Sequence, residues 1–271
     1  MSTPFDIGRF IVSSGRKIYG FLIKATFKHD NLLEIVSLLT KHNVKILFLS
    51  FSRPTIPAEV VTSLSFCDFT EADISVDELK KEIKLINSVE QIEIIYPETN
   101  GFIADTASFP LKIGENRAII IRDIGYKGLL TDIRTKFGSA AEAFLYYLGF
   151  EAGLEYGKDH KRIAEEVGLK EAEEIHDNIS MPLFISVGYG RMEKIEFKKD
   201  KPYVLLRVYD NFECELGKGS NTVFSHFVRG MIAGVLSELL GINIYTKEIR
   251  CIAMGDPYCE FESIPKSQIS V

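Results

Sequence analysis

The chain has few cysteines and no long apolar run. Four cysteines in 271 residues are too few for a disulfide framework, so packed cores must hold the fold. No apolar stretch approaches the ~20 residues that a membrane-spanning helix needs. No Lys/Arg run stands out, and a net charge of −6 with a pI near 5.5 argues against direct nucleic-acid binding. The segment Met1-Ser2-Thr3-Pro4-Phe5-Asp6 is not a basic stretch followed by an apolar one. No secretory signal is therefore expected, and the expected location is cytoplasmic. Also missing are a glycine-rich phosphate loop, a Gly-x-Ser-x-Gly elbow and a His-Glu-x-x-His pair. No nicotinamide or flavin motif is present, and these absences count against an enzyme.

What is there supports about two domains, with 46% hydrophobic and 26% charged residues. Residues 18–27 read as a strand, and Asp30 as the cap of a helix whose apolar face holds Leu32, Ile35, Leu38 and Leu39. Residues 44–51 form a second strand. The Arg53-Pro54 to Pro57 turn leads to a third at 60–69. Asp73 or Ser75 caps a second helix over 76–87 with Leu79, Ile83 and Ile86 inward, and 89–96 is a fourth strand. The order βαββαβ is that of a ferredoxin-like sandwich. A linker is expected from 97 to 116, then a strand over 117–122. Helices follow near 124–136, 139–157, 158–167 and 170–177, then strands over 183–197 and 203–209 and a long helix over 221–240. Gly149 and Gly153 lie one turn apart on a helix, which suits tight helix contact or a ligand.

The last segment carries the most chemistry. Residues 242–254 and 258–264 read as a hairpin about Gly255-Asp256-Pro257. If it is symmetric about Gly255, Cys251 and Cys259 face each other across the strands. That apposition suits two thiolates on one metal, a reduced thiol pair or a disulfide. Glu248 adds an oxygen donor. It lies an odd number of residues from Cys251, so both reach one ion only across a β-bulge.

Two resemblances follow from longer stretches. Residues 17–97, including Lys28-His29-Asp30-Asn31, resemble an ACT domain. That likeness implies a regulatory module that pairs with itself and binds amino acids near its first loop. Asn31 stands where the family usually has glycine, which sets amino-acid binding against an added side chain. Residues 117–263 resemble a 4-vinyl reductase domain. The carrying segments are Gly188-Tyr189-Gly190-Arg191, Asn211-Phe212-Glu213-Cys214, Phe227 to Gly234, Glu248 to Cys251, and Gly255 to Phe261. The family includes ligand-sensing modules of phenol-responsive regulators and stand-alone archaeal proteins, and it is distantly similar to a vesicle-tethering subunit that holds an acyl chain. The resemblance implies an α+β domain of antiparallel strands and a long helix, with an apolar pocket beside a zinc site. Its zinc ligands fall on Glu248, Cys251 and Cys259, and its first cysteine on Ser225. The fourth ligand is then His226 or Cys214, or zinc has three ligands and water.

The expected layout is an ACT-like regulatory domain over 1–98, a linker over 99–116 and a 4-vinyl reductase-type domain over 117–271. Tyr189, Tyr209, Phe227, Gly230 and Gly234 are the expected pocket residues, the two glycines leaving room on one face of the long helix. Tyr189 and Tyr209 also suit ordinary strand aromatics. Arg191 and Arg229 suit surface ion pairs, and His160 and His176 suit solvated positions. The leading function is a cytoplasmic sensor or regulatory homodimer that binds an apolar aromatic or acyl molecule, with structural zinc. The alternatives are an enzyme or enzyme accessory factor, and an interaction scaffold.

Overall fold

Ile18–Thr26 carries apolar side chains on both faces and becomes the centre of a sheet. A computed structural model describes residues 3–26, 29–52 and 60–269, which fall in two units, Met1–Ile120 and Ile121–Val271. The first unit holds β1 (Phe10–Val12), β2 (Ile18–Thr26), α1 (His29–Lys41), β3 (Lys45–Ser52), β4 (Val60–Asp68), α2 (Val76–Lys84) and β5 (Val89–Ile95). It continues with β6 (Phe102–Ala104), β7 (Lys112–Ile113) and β8 (Asn116–Arg117). The sheet order β3-β4-β2-β5, all antiparallel, is the expected ferredoxin-like sandwich. Phe21, Ile23 and Ala25 meet Ile35 and Leu39 of α1 and Leu79 and Ile83 of α2 on one face. Ser75 caps α2 in a reciprocal pair with Glu78. The side chains of Asp30 and Asn31, and the turn at 53–57, lie outside the described residues.

Two expectations fail in this unit. Residues 99–116 are more than a connector: β6 pairs with β1, and Ile103 is fully buried with Ile18 and Phe66 on the second face of the sheet. The strand expected over 117–122 shrinks to β8, because its only partner is the two-residue β7, and Ile119–Ile121 stay exposed.

The second unit begins with α3 (Asp123–Lys127), a π-helical turn over Gly128–Asp132 and α4 (Ile133–Phe137). Then come α5 (Ser139–Val167), α6 (Ala172–Ile175), a π-helical turn over His176–Ser180, α7 (Met181–Ser186), β9 (Arg191–Lys198) and β10 (Tyr203–Tyr209). The chain closes with α8 (Phe212–Glu215), α9 (His226–Leu240), β11 (Ile244–Arg250) and β12 (Cys259–Pro265). The antiparallel sheet runs β11-β12-β10-β9. Its inner face, with Val204, Leu206, Val208 and Phe261, packs on Val228, Ile232 and Leu236 of α9.

The expected break at 157 is absent. Gly149, Gly153, Gly157, His160 and Ala164 keep one buried face through all 29 residues of α5, which ends at Gly168 in the left-handed region. Residues 183–186 are helix, not strand. The wide π turn just before Pro182 drops the backbone bond that proline cannot make, so the helix runs on to Ser186. His160 and His176 are buried, not solvated, and Ser180 Oγ lies 2.9 Å from His160 Nδ1.

The glycines of α5 and α9 face each other. A Cβ on Gly149 would collide with the carbonyl oxygen of Phe227, and one on Gly153 with that of Met231. Added to Gly230 or Gly234, it would collide with the carbonyl oxygens of Tyr146 or Phe150. These are backbone contacts, so no side-chain rotation relieves them. Gly234→Ala should therefore lower stability by about 1–3 kcal/mol in chemical denaturation, even though alanine favours the helix by about 1 kcal/mol.

Burial, partly offset by Asp159, lowers His160 from 6.5 to about 4. The unfolded chain then takes up a proton that the fold refuses. Stability should fall as pH drops below about 6.5 and flatten below about 4, by about 2 kcal/mol at pH 5 relative to pH 7.5. Denaturation of the protein beside His160→Gln at both pH values isolates this contribution; the variant should lack it.

Candidate metal and ligand site

Three thiols and a carboxyl group converge beneath the β11–β12 hairpin. Asp210 ends β10 with φ 53° and turns the chain inward. Asn211 caps α8 by accepting from Glu213 N, and its amide donates to Ser225 Oγ at 2.8 Å. That places Cys214 under the hairpin. On the hairpin itself, Glu248 pairs with Phe261 but Arg250 pairs with Glu260, so Ile249 is an extra residue. This bulge resolves the odd spacing: Glu248 and Cys251 both point inward. Arg250↔Glu260 also sets Cys251 opposite Cys259 just beyond the ladder, as symmetry about Gly255 requires. The turn is held by Asp256 Oδ2 accepting from Cys251 N at 2.8 Å and by Gly255 at φ 101°.

One donor atom each from Cys214, Glu248, Cys251 and Cys259 lies within 4.8 Å of all the others, and all four residues are buried. Cys214 Sγ is 3.5 Å from Cys251 Sγ and 3.6 Å from Glu248 Oε1. Burial, with the negative charge developing on Cys251, raises the Glu248 carboxyl to about 8. Hydrogen bonds from Cys214 and Cys259 draw Cys251 down to about 2, and sharing its proton with Cys251 pushes Cys214 up. Four such groups cannot all ionise side by side unless a cation joins them.

His226 is not part of this cluster. Ser225 caps α9 and its N–H donates to Glu248 Oε2 at 3.0 Å. One residue on, the helix turns His226 the other way, toward Arg134 and the Phe224 carbonyl, with Nε2 3.7 Å from Glu142. Cys214 takes the place that the sequence left between the two. The long helix starts at His226 rather than at 221 because Ser225 N is spent on Glu248.

Beside the cluster, Glu213 accepts from Phe227 N at 3.1 Å and Val228 N at 2.9 Å, satisfying two free donors of α9. Its other partner is Arg134 at 2.5 Å. Arg134 also donates to the Phe224 carbonyl and lies 4.0 Å over the Phe224 ring. Burial raises the Glu213 carboxyl while Arg134 and the two N–H groups pull it back.

The expected pocket residues separate. Gly230 and Gly234 leave no room, because the backbone of α5 fills that face of α9. Tyr209 lies on the outer face of the sheet, edge-on to Tyr258 and bonded to Glu193, far from a helix-side pocket by the alternation of β10. Tyr189 sits in a turn before β9 rather than in a strand, and it remains with Phe227 in an aromatic cluster that sequence reasoning did not assemble. Phe212 is 5.4 Å from Tyr126, 5.5 Å from Tyr189 and 6.3 Å from Phe227, and Phe184 is 5.3 Å from Tyr189. The Tyr189 hydroxyl lies 3.2 Å from that of Tyr156. Only the Asn211-Phe212-Glu213-Cys214 segment hinted at Phe212. Arg191 pairs with the exposed Asp210, a surface pair as expected, whereas Arg229 lies over the Tyr146 ring.

A sheet backed by a long helix, with a cysteine–carboxylate cluster at the hairpin, defines the class: the 4-vinyl reductase domain model matches residues 204–265, from β10 through β12. Among individual proteins, the chain is 27% identical over 125 residues and 30% identical over 109 residues to two uncharacterized proteins of Methanocaldococcus jannaschii. These matches cover 46% and 39% of this chain, and the chain spans 65% and 46% of the two relatives' lengths. The phenol-responsive sensory domain of the transcription activator PoxR, solved with phenol, shares the fold with a TM-score of 0.53 at 18% identity. That match covers 59% of this chain and 82% of the other. A vinyl-4-reductase family protein from Methanocaldococcus jannaschii matches 56% of this chain and 84% of its own at 21% identity, with a TM-score of 0.38.

Removing Glu213 leaves Arg134 buried and two helix donors unmet. Glu213→Ala should cost about 3–5 kcal/mol in urea denaturation, more than a surface carboxylate such as Glu193→Ala.

Proposed function

We propose that the C-terminal unit is a small-molecule sensing module of a cytoplasmic regulatory protein, organised by zinc on Cys214, Glu248, Cys251 and Cys259. The observation that carries this reading is the set of three thiols and a carboxylate within 4.8 Å of one another in a buried site. Soft sulfur donors in a four-ligand set are the chemistry of structural zinc. A bound zinc ion supplies the positive charge that this cluster lacks and joins α8 to both strands of the hairpin. The ligand site is the aromatic cluster of Tyr126, Phe184, Tyr189, Phe212 and Phe227. Its walls suit an apolar aromatic or acyl molecule, and the Tyr156–Tyr189 hydroxyl pair offers one polar handle. The fold shared with a phenol-responsive sensory domain supports an aromatic ligand.

The N-terminal sandwich serves as the regulatory partner domain, and the chain acts as a homodimer. Exposed Ile124, Leu129, Phe137, Phe144 and Tyr147 on α3 to α5 and the turn between support self-association. Among the described residues, no helix is long and apolar enough to cross a membrane.

Elemental analysis of the purified protein should find one zinc per chain. Cys214→Ser and Cys259→Ser should lose it, and His226→Ala should keep it. Full retention in Cys214→Ser would remove that ligand from the set. In calorimetry phenol should bind the zinc-loaded protein, and Tyr189→Ala should abolish the heat. A flat titration of the unmutated protein with phenol and with a medium-chain fatty acid would overturn the sensor reading. Static light scattering of the same sample reads the dimer, and a monomer at micromolar concentration would sink it.

A further inference from the structure

Three consecutive residues of α8 enter three different clusters. Phe212 packs against Tyr126, Tyr189 and Phe227. Glu213 holds Arg134 and the first turn of α9. Cys214 joins the sulfurs of the hairpin. We propose that α8 is a relay through which metal occupancy of the cysteine–carboxylate site and packing of the aromatic cluster strengthen each other. The proposal rests on the zinc reading above and adds regulation of that site.

The argument is mechanical. A helix of four residues has no stability of its own, so its position is set by the contacts of its side chains. Its backbone gives Phe212, Glu213 and Cys214 almost no freedom to move separately. Around them the interior is close-packed, and Glu213 and Cys214 are fully buried. A shift of Cys214 onto or off a metal must then displace Phe212, and packed cores answer such shifts by switching arrangement, not by stretching. Coupling of this kind is reciprocal, so whatever changes the aromatic cluster changes metal affinity by the same factor. The relay is a property of this chain's own ligand choice. Had the donor stood at Ser225, on the cap of α9, the metal would have bypassed α8.

The chain contains no tryptophan, so its near-ultraviolet circular dichroism comes chiefly from tyrosine and phenylalanine. Removing zinc from the full-length protein with a chelator should change that signal, although no aromatic residue is among the four donors. Zinc affinity, read by competition with a chromogenic chelator, should fall about fivefold to tenfold in Phe212→Leu. Phe66→Leu, a buried change in the first unit, should leave it unchanged. Unaltered zinc affinity in Phe212→Leu would overturn the relay while leaving the zinc site standing, as would an unaltered aromatic signal on zinc removal. Equal weakening in Phe66→Leu would assign the effect to general destabilisation and overturn it too. Failure of the unmutated protein to bind zinc would end both readings.

Discussion

The C-terminal unit depends on how the buried first turn of α9 satisfies its backbone donors. A helix begins with N–H groups that have no partner within the helix, and these lie away from water. Two carboxylates meet them. Glu248 takes the N–H of Ser225, and Glu213 takes those of Phe227 and Val228. Negative charge at this end is also what the helix dipole favours. Each carboxylate then carries a second obligation. Glu213 is tied to Arg134, and Glu248 stands among three sulfurs. The cap of one helix therefore brings the metal-ligand candidates together with the arm of α3 and α4.

The same helix is fixed along its length by the absence of side chains. Four glycines, two on α5 and two on α9, bring the two backbones into direct contact. Close approach of this kind is sensitive to helix register, because each glycine faces a particular carbonyl. It holds α9 against α5 while the opposite face of α9 packs on the sheet through Val228, Ile232 and Leu236. The core beside the cysteine cluster is thus clamped between a glycine contact and an apolar one, and the ligands inherit their positions from both.

Much of this was legible in the sequence, for stated reasons. The βαββαβ order followed from alternating apolar strands and two amphipathic helices with a recognisable cap at Ser75. The opposition of Cys251 and Cys259 followed from turn symmetry, and the bulge at Ile249 from counting residues between Glu248 and Cys251. What escaped the sequence was set by contacts between distant residues. The glycine pairs read as free space because nothing local reveals that α5 will occupy it. His160 and His176 lie on segments whose composition is polar, yet both face the interior. Cys214 was one of two candidates, and only the direction taken by His226 at the start of α9 decides between them. Residues 183–186 look like a strand because Leu183, Phe184 and Ile185 are apolar, but the preceding π turn carries helix through Pro182.

The extra residue at Ile249 lets the hairpin absorb a difference in length without passing it to the interior. On β12, Phe261 and Cys259 point inward from alternate positions; opposite them on β11, Glu248 and Cys251 do the same with one residue more between them. The surplus is taken up as an outward kink, and both intervening residues, Ile249 and Arg250, are exposed. A regular strand lacking that residue would also aim both donors inward, because alternation returns the chain to the same side at every second position. The buried cluster is therefore compatible with two lengths of the connecting stretch, one bulged and one straight. A fixed spacing between glutamate and cysteine is in consequence a poor signature of such a site. The pairing of the two strands is the better one, since it stays the same while the count along one of them changes.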